Sequence, residues 1–316
     1  MESVELGTTL LTVSRLAFGG CPMGGHGWGD VSRSNFVEAV NVALDHGLNF
    51  FDTADTYGLG EGERTLGEAL GRRRGDAVIA AKFGVRIDGG RTFHDNSPEW
   101  INAAIRASLQ RLGTDYVDLY QIHYRDHTTP LDDVVATLLD LRDEGLIRHF
   151  GLSNVGLDDV NELAPSAHHF VSFQDEFSLA NRSHERNITK LSERFGITPL
   201  TWGSLGQGIL TGKYHAASHF GPDDCRSRAV YTNFHGAKLH HNLRIVDVLK
   251  EIAREADRPV AAVAIRWILD RLPNSVAIAG IKTTGQLESN LAALDWRLTP
   301  GQLDALTSIS TEEVIP

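Results

Sequence analysis

The chain has 316 residues, 41% hydrophobic and 22% charged, with a formal net charge of −11. The length allows a large core, and the acidity excludes a sequence-independent nucleic-acid surface, which needs an excess of lysine and arginine. No run approaches the roughly 20 apolar residues that span a bilayer. The two cysteines, Cys21 and Cys225, cannot form a disulfide framework and show no metal-type spacing, so a reducing, cytoplasmic setting is expected. The first residues have neither a basic nor an apolar stretch, so no signal peptide is expected.

In chain order, Val4 to Val13 places two short apolar stretches around Gly7-Thr8-Thr9 and predicts a β-hairpin. Eight apolar runs follow, beginning near Arg15, Leu48, Ala77, Tyr116, Leu146, Phe170, Thr198 and Ser275. Most precede a segment of helical period. Phe36, Val40, Ala43 and Leu44 share one face before Gly47. Ile101, Ala104, Ile105, Ser108, Leu109 and Leu112 do so between Ser97-Pro98 and Gly113, a start and a stop signal. Leu131, Val134, Val135, Leu138 and Leu141 repeat the pattern before Gly145. Strand and helix alternating eight times predicts an α/β fold, a closed (β/α)8 TIM barrel with an N-terminal hairpin and extra C-terminal helices, as one domain over residues 1–316. Tyr214 to Gly236 is polar and reads as a long loop of the kind that forms lids. Helical period resumes from Leu239, and a further helix over Val260–Arg271 precedes the last strand.

Three successive strand ends carry the chemistry. Leu48 to Phe51 runs into Asp52, with Tyr57 five residues on in a glycine-bounded loop. Lys82 follows the second of these runs and His123 the third. Strand ends that lead into loops are where barrel enzymes place reactive groups. Reducing a ketone or aldehyde needs a hydride on carbon and a proton on oxygen. Tyrosine can donate the proton, although its reference pKa is about 10. The Lys82 ammonium is expected to lower that value, Asp52 to orient Lys82, and His123 to hydrogen-bond the carbonyl oxygen. Asp55 and Glu63 read as structural supports, and Cys21 as a residue lining the pocket.

Phe51-Asp52-Thr53-Ala54-Asp55-Thr56-Tyr57-Gly58, Asp118-Leu119-Tyr120-Gln121-Ile122-His123 and Gly145-Leu146-Ile147-Arg148-His149-Phe150-Gly151-Leu152-Ser153-Asn154 resemble signatures of the aldo-keto reductase family. The resemblance runs from about Val13 to Leu306 and is strongest toward bacterial and potassium-channel β-subunit-like branches. It implies a catalytic tetrad of Asp52, Tyr57, Lys82 and His123. It also implies a nicotinamide cofactor: NADPH, with NADH an open alternative. Ser153, Asn154 and Gln174 fall where the family holds the nicotinamide amide, and Trp202 where an aromatic stacks on its ring. Gly203, Ser204, Leu205, Gln207 and Lys213 fall in the pyrophosphate loop. Gly20 and Asp52 also border the cofactor in this reading. Arg228 aligns with a further phosphate contact, with Arg226 as the competing alignment. Gly280, Lys282, Gln286 and Asn290 fall around the adenosine, with Lys282 the partner for a 2′-phosphate.

The chain departs from the family pattern at four places: Gly203 for serine, Ala279 for proline, Ser289 for glutamate, and Tyr124-Arg125 for Trp-Pro. The implied partner is a small-molecule carbonyl, with no nucleic acid or membrane, and the chain a monomer or homo-oligomer. Relatives that act on sugar or secondary-metabolite intermediates, or that serve as cofactor-binding regulatory subunits, are the rival functions. No metal site is expected, because the 14 histidines do not converge with cysteine or carboxylate spacing. Neither a Rossmann nor a Walker glycine pattern is present.

Overall fold

The computed structural model describes residues 1–25, 27–29 and 31–311. The strands are β1 (Ser3–Glu5), β2 (Thr12–Ser14), β3 (Leu16–Gly19), β4 (Phe50–Asp52), β5 (Val78–Phe83), β6 (Val85–Asp88), β7 (Arg91–His94), β8 (Val117–Ile122), β9 (Ile147–Ser153), β10 (Phe170–Glu176), β11 (Thr198–Trp202) and β12 (Val276–Gly280). β3, β4, β5, β8, β9, β10, β11 and β12 close into a parallel barrel in that order. Eight parallel strands with crossover helices make the (β/α)8 TIM barrel expected from the alternation. The main helices are α1 (Arg33–Asp45), α2 (Glu61–Leu70), α3 (Pro98–Leu112), α4 (Leu131–Asp143), α5 (Val160–Leu163), α6 (Glu185–Phe195), α7 (Gly236–Ala256), α8 (Val260–Arg271), α9 (Thr284–Leu291) and α10 (Pro300–Thr311).

The start of α3 shows how locally these elements are specified. Pro98 at the first helical position needs no amide partner, and the Ser97 hydroxyl accepts from Trp100 N at 3.3 Å. The six apolar or small residues of its repeat are the ones buried. Gly113 ends the helix with φ +63°, a left-handed conformation that glycine adopts at no steric cost.

The hairpin of β1 and β2 plugs the N-terminal end of the barrel. Gly7 N donates to Thr198 Oγ1 at 2.8 Å and Ser14 N to Asn49 Oδ1 at 2.8 Å. Leu6 and Val13 there join a cluster with Ala17, Phe50, Val78, Ala80, Leu119, Leu200 and Val276. These strand residues fill the lower barrel. The side-chain period of two then carries the inner face upward: Phe50 to Asp52, Val78 and Ala80 to Lys82, Leu119 and Gln121 to His123. The inside changes from apolar to polar toward the C-terminal mouth. β10 keeps this phase through an irregularity between Phe170 and Phe173. An extra residue flips the alternation, so Val171 packs in the lower barrel while Gln174 reaches Asp52 above it.

The segment after β5 is a second hairpin, β6 with β7, which the apolar runs of the sequence do not mark. Its turn residues Gly89 and Gly90 have φ +56° and +76°, the pair of positive values that a tight two-residue hairpin requires. The 214–236 segment is a loop, as expected, with two short 3-10 turns at Cys225–Ser227 and Thr232–Phe234. Of the loop after β3, His26 and Asp30 lie outside the described residues.

Candidate active site at the C-terminal mouth of the barrel

Asp52, Tyr57, Lys82 and His123 meet at the C-terminal ends of β4, β5 and β8. Lys82 Nζ donates to both carboxylate oxygens of Asp52 at 2.7 Å, to the Thr53 carbonyl at 3.1 Å and to the Tyr57 hydroxyl at 3.1 Å. The Lys82 side chain is 1% exposed and that of Asp52 4% exposed. Gln174 Nε2 donates to Asp52 Oδ1 at 2.8 Å, which completes the carboxylate's partners. A buried ion pair persists where geometry is good and the remaining donors and acceptors are satisfied, as here.

Backbone close-packing aims the Tyr57 loop. Gly20 N donates to Asp52 O at 2.7 Å, and a Cβ on Gly20 would stand 2.6 Å from that oxygen. A Cβ on Gly24 would stand 2.6 Å from Gly58 N. Only glycine lets the 20–24 turn lie this tightly on the Asp52–Gly58 segment. Gly20 therefore packs behind the site, and Gly19 is the residue that reaches the cavity wall.

The expected lowering of the Tyr57 pKa is corrected. Burial, first, and then the charges of Asp52, Cys21, Tyr124 and Asp55 push the phenol well above its ordinary value. The lysine is close enough to hydrogen-bond, but both Asp52 oxygens already engage its charge. Tyr57 is a protonated phenol across the physiological range. His123 moves the other way: burial, then Lys82 and His94, hold it well below the usual imidazole value. It is a neutral ring lying across Tyr57, with centroids 6.4 Å apart and planes at 87°. His123 Nδ1 has no hydrogen-bond partner among the described residues. Tyr124 stacks on His123 at 5.0 Å, and His94 of β7 stacks on Tyr124 at 4.9 Å with planes 4° apart. The second hairpin thereby becomes part of the mouth.

A cavity of about 640 Å³ opens here, within the usual size of ligand sites. Asp52, Tyr57 and His123 line it, with Lys82 one layer behind. So do Ser153, Asn154, Gln174, Trp202, Gly203, Ser204, Leu205, Gln207, Lys213, Gly280, Lys282, Gln286 and Asn290. Asn154, at φ +53°, donates to His123 O at 3.0 Å and Ser153 Oγ at 3.1 Å, and accepts from Trp202 Nε1 at 3.2 Å. Gln207 accepts from Asn233 at 2.6 Å, tying the glycine-rich turn to the 214–236 loop. Burial pushes the Cys21 thiol up to about 11, which fits a lining residue rather than a nucleophile.

Between the competing arginines, the structure places Arg226 on the cavity wall and Arg228 out in solvent. Arg226 is ion-paired with Asp224, with Nε 2.8 Å from Oδ1, and also bonds the Tyr214 hydroxyl. Lys282 Nζ donates to Trp28 O at 2.8 Å, so the loop after β3 crosses the cavity at this point. Trp28 and Tyr231 meet edge to face at 5.8 Å and form the lip. Neither was singled out from the sequence, because each lies in an irregular segment with no period to fix where it points.

His127, Asp159 and Glu162 gather within 4.8 Å of one another, a trio the chain spacing did not reveal. None lines the cavity. Glu162 accepts from Arg125 at 2.6 Å and Asp159 from Gly156 N at 2.6 Å, so both carboxylates are engaged. Among the described residues no helix is long and apolar enough to cross a membrane.

The chain and its architecture resemble known proteins. Residues 15–311 match the model of the Aldo/keto reductase family. The chain is 30% identical over 301 residues to aldo-keto reductase YhdN of Bacillus subtilis, covering 94% of this chain and 90% of that one. It is 30% identical over 318 residues to the NADH-specific methylglyoxal reductase of Escherichia coli, covering 95% of each. The structure of a glycerol dehydrogenase from Gluconobacter oxydans superposes with a TM-score of 0.87 at 31% identity, covering 97% of this chain and 94% of that one. With a family model spanning all but the two ends and full-length oxidoreductase relatives, the chain belongs to the aldo/keto reductase family.

Proposed function

We propose that this chain is an NADPH-dependent carbonyl reductase in which Tyr57 protonates the carbonyl oxygen. The observation that carries the reading is the buried Asp52–Lys82–Tyr57 chain opening beside neutral His123 on a dinucleotide-sized cavity. The cavity fits the cofactor on its own terms. Asn290 Nδ2 on its wall is buried with no partner among the described residues. A Cβ on Gly285, also on the wall, would meet no atom within 4 Å, which leaves open space at the start of α9. When bound, the reduced nicotinamide supplies the hydride to the carbonyl carbon.

The protein groups divide the remaining work. Ser153, Asn154 and Gln174 would hold the nicotinamide amide, and Trp202 would flank its ring. The Gly203–Lys213 turn would cradle the pyrophosphate with glycine amides and one ammonium. Lys282 and Arg226 would face the 2′-phosphate, with Gln286 and Asn290 near the adenosine. His123, neutral, donates a hydrogen bond to the substrate oxygen and fixes its direction. Tyr57 passes its proton to that oxygen, and the resulting phenolate forms 3.1 Å from the Lys82 ammonium. The lysine charge is thus most useful after proton transfer, which is where transition-state stabilisation counts.

Asp224 favours a second reading of the cofactor. Its carboxylate already pairs with Arg226, and an anion binding there has to displace it, which favours NADH. The methylglyoxal reductase relative is NADH-specific by name. Lys282→Met separates the two: kcat/KM with NADPH is expected to fall about tenfold or more, as for loss of a charge-assisted phosphate contact, while kcat/KM with NADH changes less than about twofold. Equal losses with both cofactors remove Lys282 from the 2′-phosphate site. The reading as a whole is tested by steady-state turnover of ketones, aldehydes and keto-sugars with NADPH and NADH. Turnover of none of these contradicts it and favours a regulatory or non-reductase role.

A further inference from the structure

The direction of a functional histidine is ordinarily set by a hydrogen bond on its second ring nitrogen. His123 Nδ1 is buried and has no such partner among the described residues. Two rings enclose the imidazole instead. Tyr57 stands edge-on to it at 6.4 Å and 87°, and Tyr124 lies along it at 5.0 Å and 26°. His94 lies on Tyr124 in turn, at 4.9 Å and 4°. These are the spacings of offset aromatic stacks. Three stacked rings thus run from the exposed strand β7 to the cavity wall.

Hydrogen bonds fix the backbones that carry these rings. β6 and β7 pair Val85 with His94, and Asp95 N donates to Gly84 O at 3.1 Å. Asn96, two residues after His94 and 0% exposed, bridges to the loop that carries Tyr124. Its Nδ2 donates to Tyr124 O at 3.1 Å, its Oδ1 accepts from Asp126 N at 2.9 Å, and its own N donates to Asp126 Oδ2 at 2.8 Å. Gly84, at φ +101°, makes this approach possible: a Cβ there would stand 2.6 Å from Asn96 Nδ2 and 3.1 Å from Tyr124 O. His123 N donates to Phe83 O at 2.8 Å, so the strand that carries Lys82 shares the same frame. On the outer side Arg86 ties the hairpin down. It pairs with Asp95 at 2.9 Å, and its guanidinium lies 4.7 Å from the Trp100 ring of α3.

Resting on the proposed role of His123 as hydrogen-bond donor to the carbonyl oxygen, we infer that Tyr124 and His94 are positioning residues: Tyr124 holds the His123 ring by stacking on it, and His94 acts through Tyr124. The β6–β7 hairpin is then a brace for the imidazole. A reacting site has to hold its groups to about 0.5 Å and 10–20°. An imidazole with no hydrogen-bonded anchor keeps that precision only while its stack is intact. Tyr124 also lines the cavity, so replacing it changes the shape of the site as well. His94 is not among the lining residues, which makes it the cleaner probe.

The test is a double-mutant cycle on His94 and Tyr124, with a small aldehyde and either reduced dinucleotide. His94→Ala should lower kcat about 3–10-fold, the worth of one aromatic pair, with KM within about twofold. His94→Phe, which restores a flat ring, should recover most of that loss. Tyr124→Leu should cost about 10–10²-fold, the scale of a misplaced reacting group. Adding His94→Ala to Tyr124→Leu should cost nothing further. An equal loss from His94→Ala in both backgrounds overturns the inference, and so does a His94→Phe variant no better than His94→Ala. A second readout needs no turnover. In histidine-labelled protein, the His123 ring resonance, assigned by its absence in His123→Gln, should be displaced by the Tyr124 ring current. It should return toward the free-histidine position in Tyr124→Leu and part of the way in His94→Ala. A His123 resonance that neither substitution moves overturns the brace. An inactive protein that shows both shifts would instead fault the carbonyl-reductase reading and leave the brace standing.

Discussion

Tyr57→Phe should bind the dinucleotide as tightly as the parent and lose about 10²–10⁴-fold in kcat for carbonyl reduction, the usual worth of a positioned general acid. The change removes one hydroxyl, whose only described hydrogen bond is the 3.1 Å contact from Lys82. Lys82 keeps both Asp52 oxygens and the Thr53 carbonyl, so the ion pair and the loop survive. The loss should fall on kcat rather than KM, since the proton is needed in the transition state. Binding is read by quenching of the tryptophan emission, and turnover by loss of the reduced-cofactor absorbance. A variant with full turnover on the same carbonyl contradicts the acid assignment.

Lys82→Met should be the most damaging substitution in the site, because it acts on stability as well as turnover. It leaves the Asp52 carboxylate 4% exposed with no cation beside it. Breaking a buried pair from one side typically costs about 3–5 kcal/mol. Adding Asp52→Leu should recover much of that stability, since two apolar groups replace two paired charges. It should recover no turnover, because no ammonium then faces the developing phenolate. Thermal unfolding of parent, single and double variants with turnover on one carbonyl checks both halves. A single variant as stable as the parent means that the pair is not a stability element.

The legible parts of the molecule were those with a short-range signal. Apolar runs ending at Asp52, Lys82 and His123 mark strand ends, and the barrel sets those ends at one mouth. The turn of the second hairpin was legible in principle: Gly89-Gly90 between two short polar strands is a two-residue hairpin signal. Its strands lack apolar alternation, being largely exposed on the barrel rim, so only the turn marks them. The irregularity before Phe173 could not be read, since the residue it adds looks like any other in the run Phe170–Glu176. Arg226 and Arg228 stand two apart in a loop without period, so alignment alone could not decide which faces inward. Asp224 decides it, by capturing Arg226 in a 3-10 turn that turns Arg228 outward.

The Tyr57 shift has the opposite sign to the one its lysine neighbour predicts. Proximity of a lysine argues for an acidic phenol only if the lysine's charge is uncommitted and the phenol is solvated. Neither holds here. Burial outweighs the ammonium, and the protonated phenol that results suits reduction at neutral pH.

The most direct measurement is the fate of the hydride. Reduction of a small aldehyde or ketone with NADPH carrying deuterium at the nicotinamide C4 position should place one deuterium on the carbinol carbon of the product, at a rate that Tyr57→Phe suppresses. Consumption of NADPH with no deuterium in an alcohol product, or no consumption across the carbonyl panel, would contradict the account.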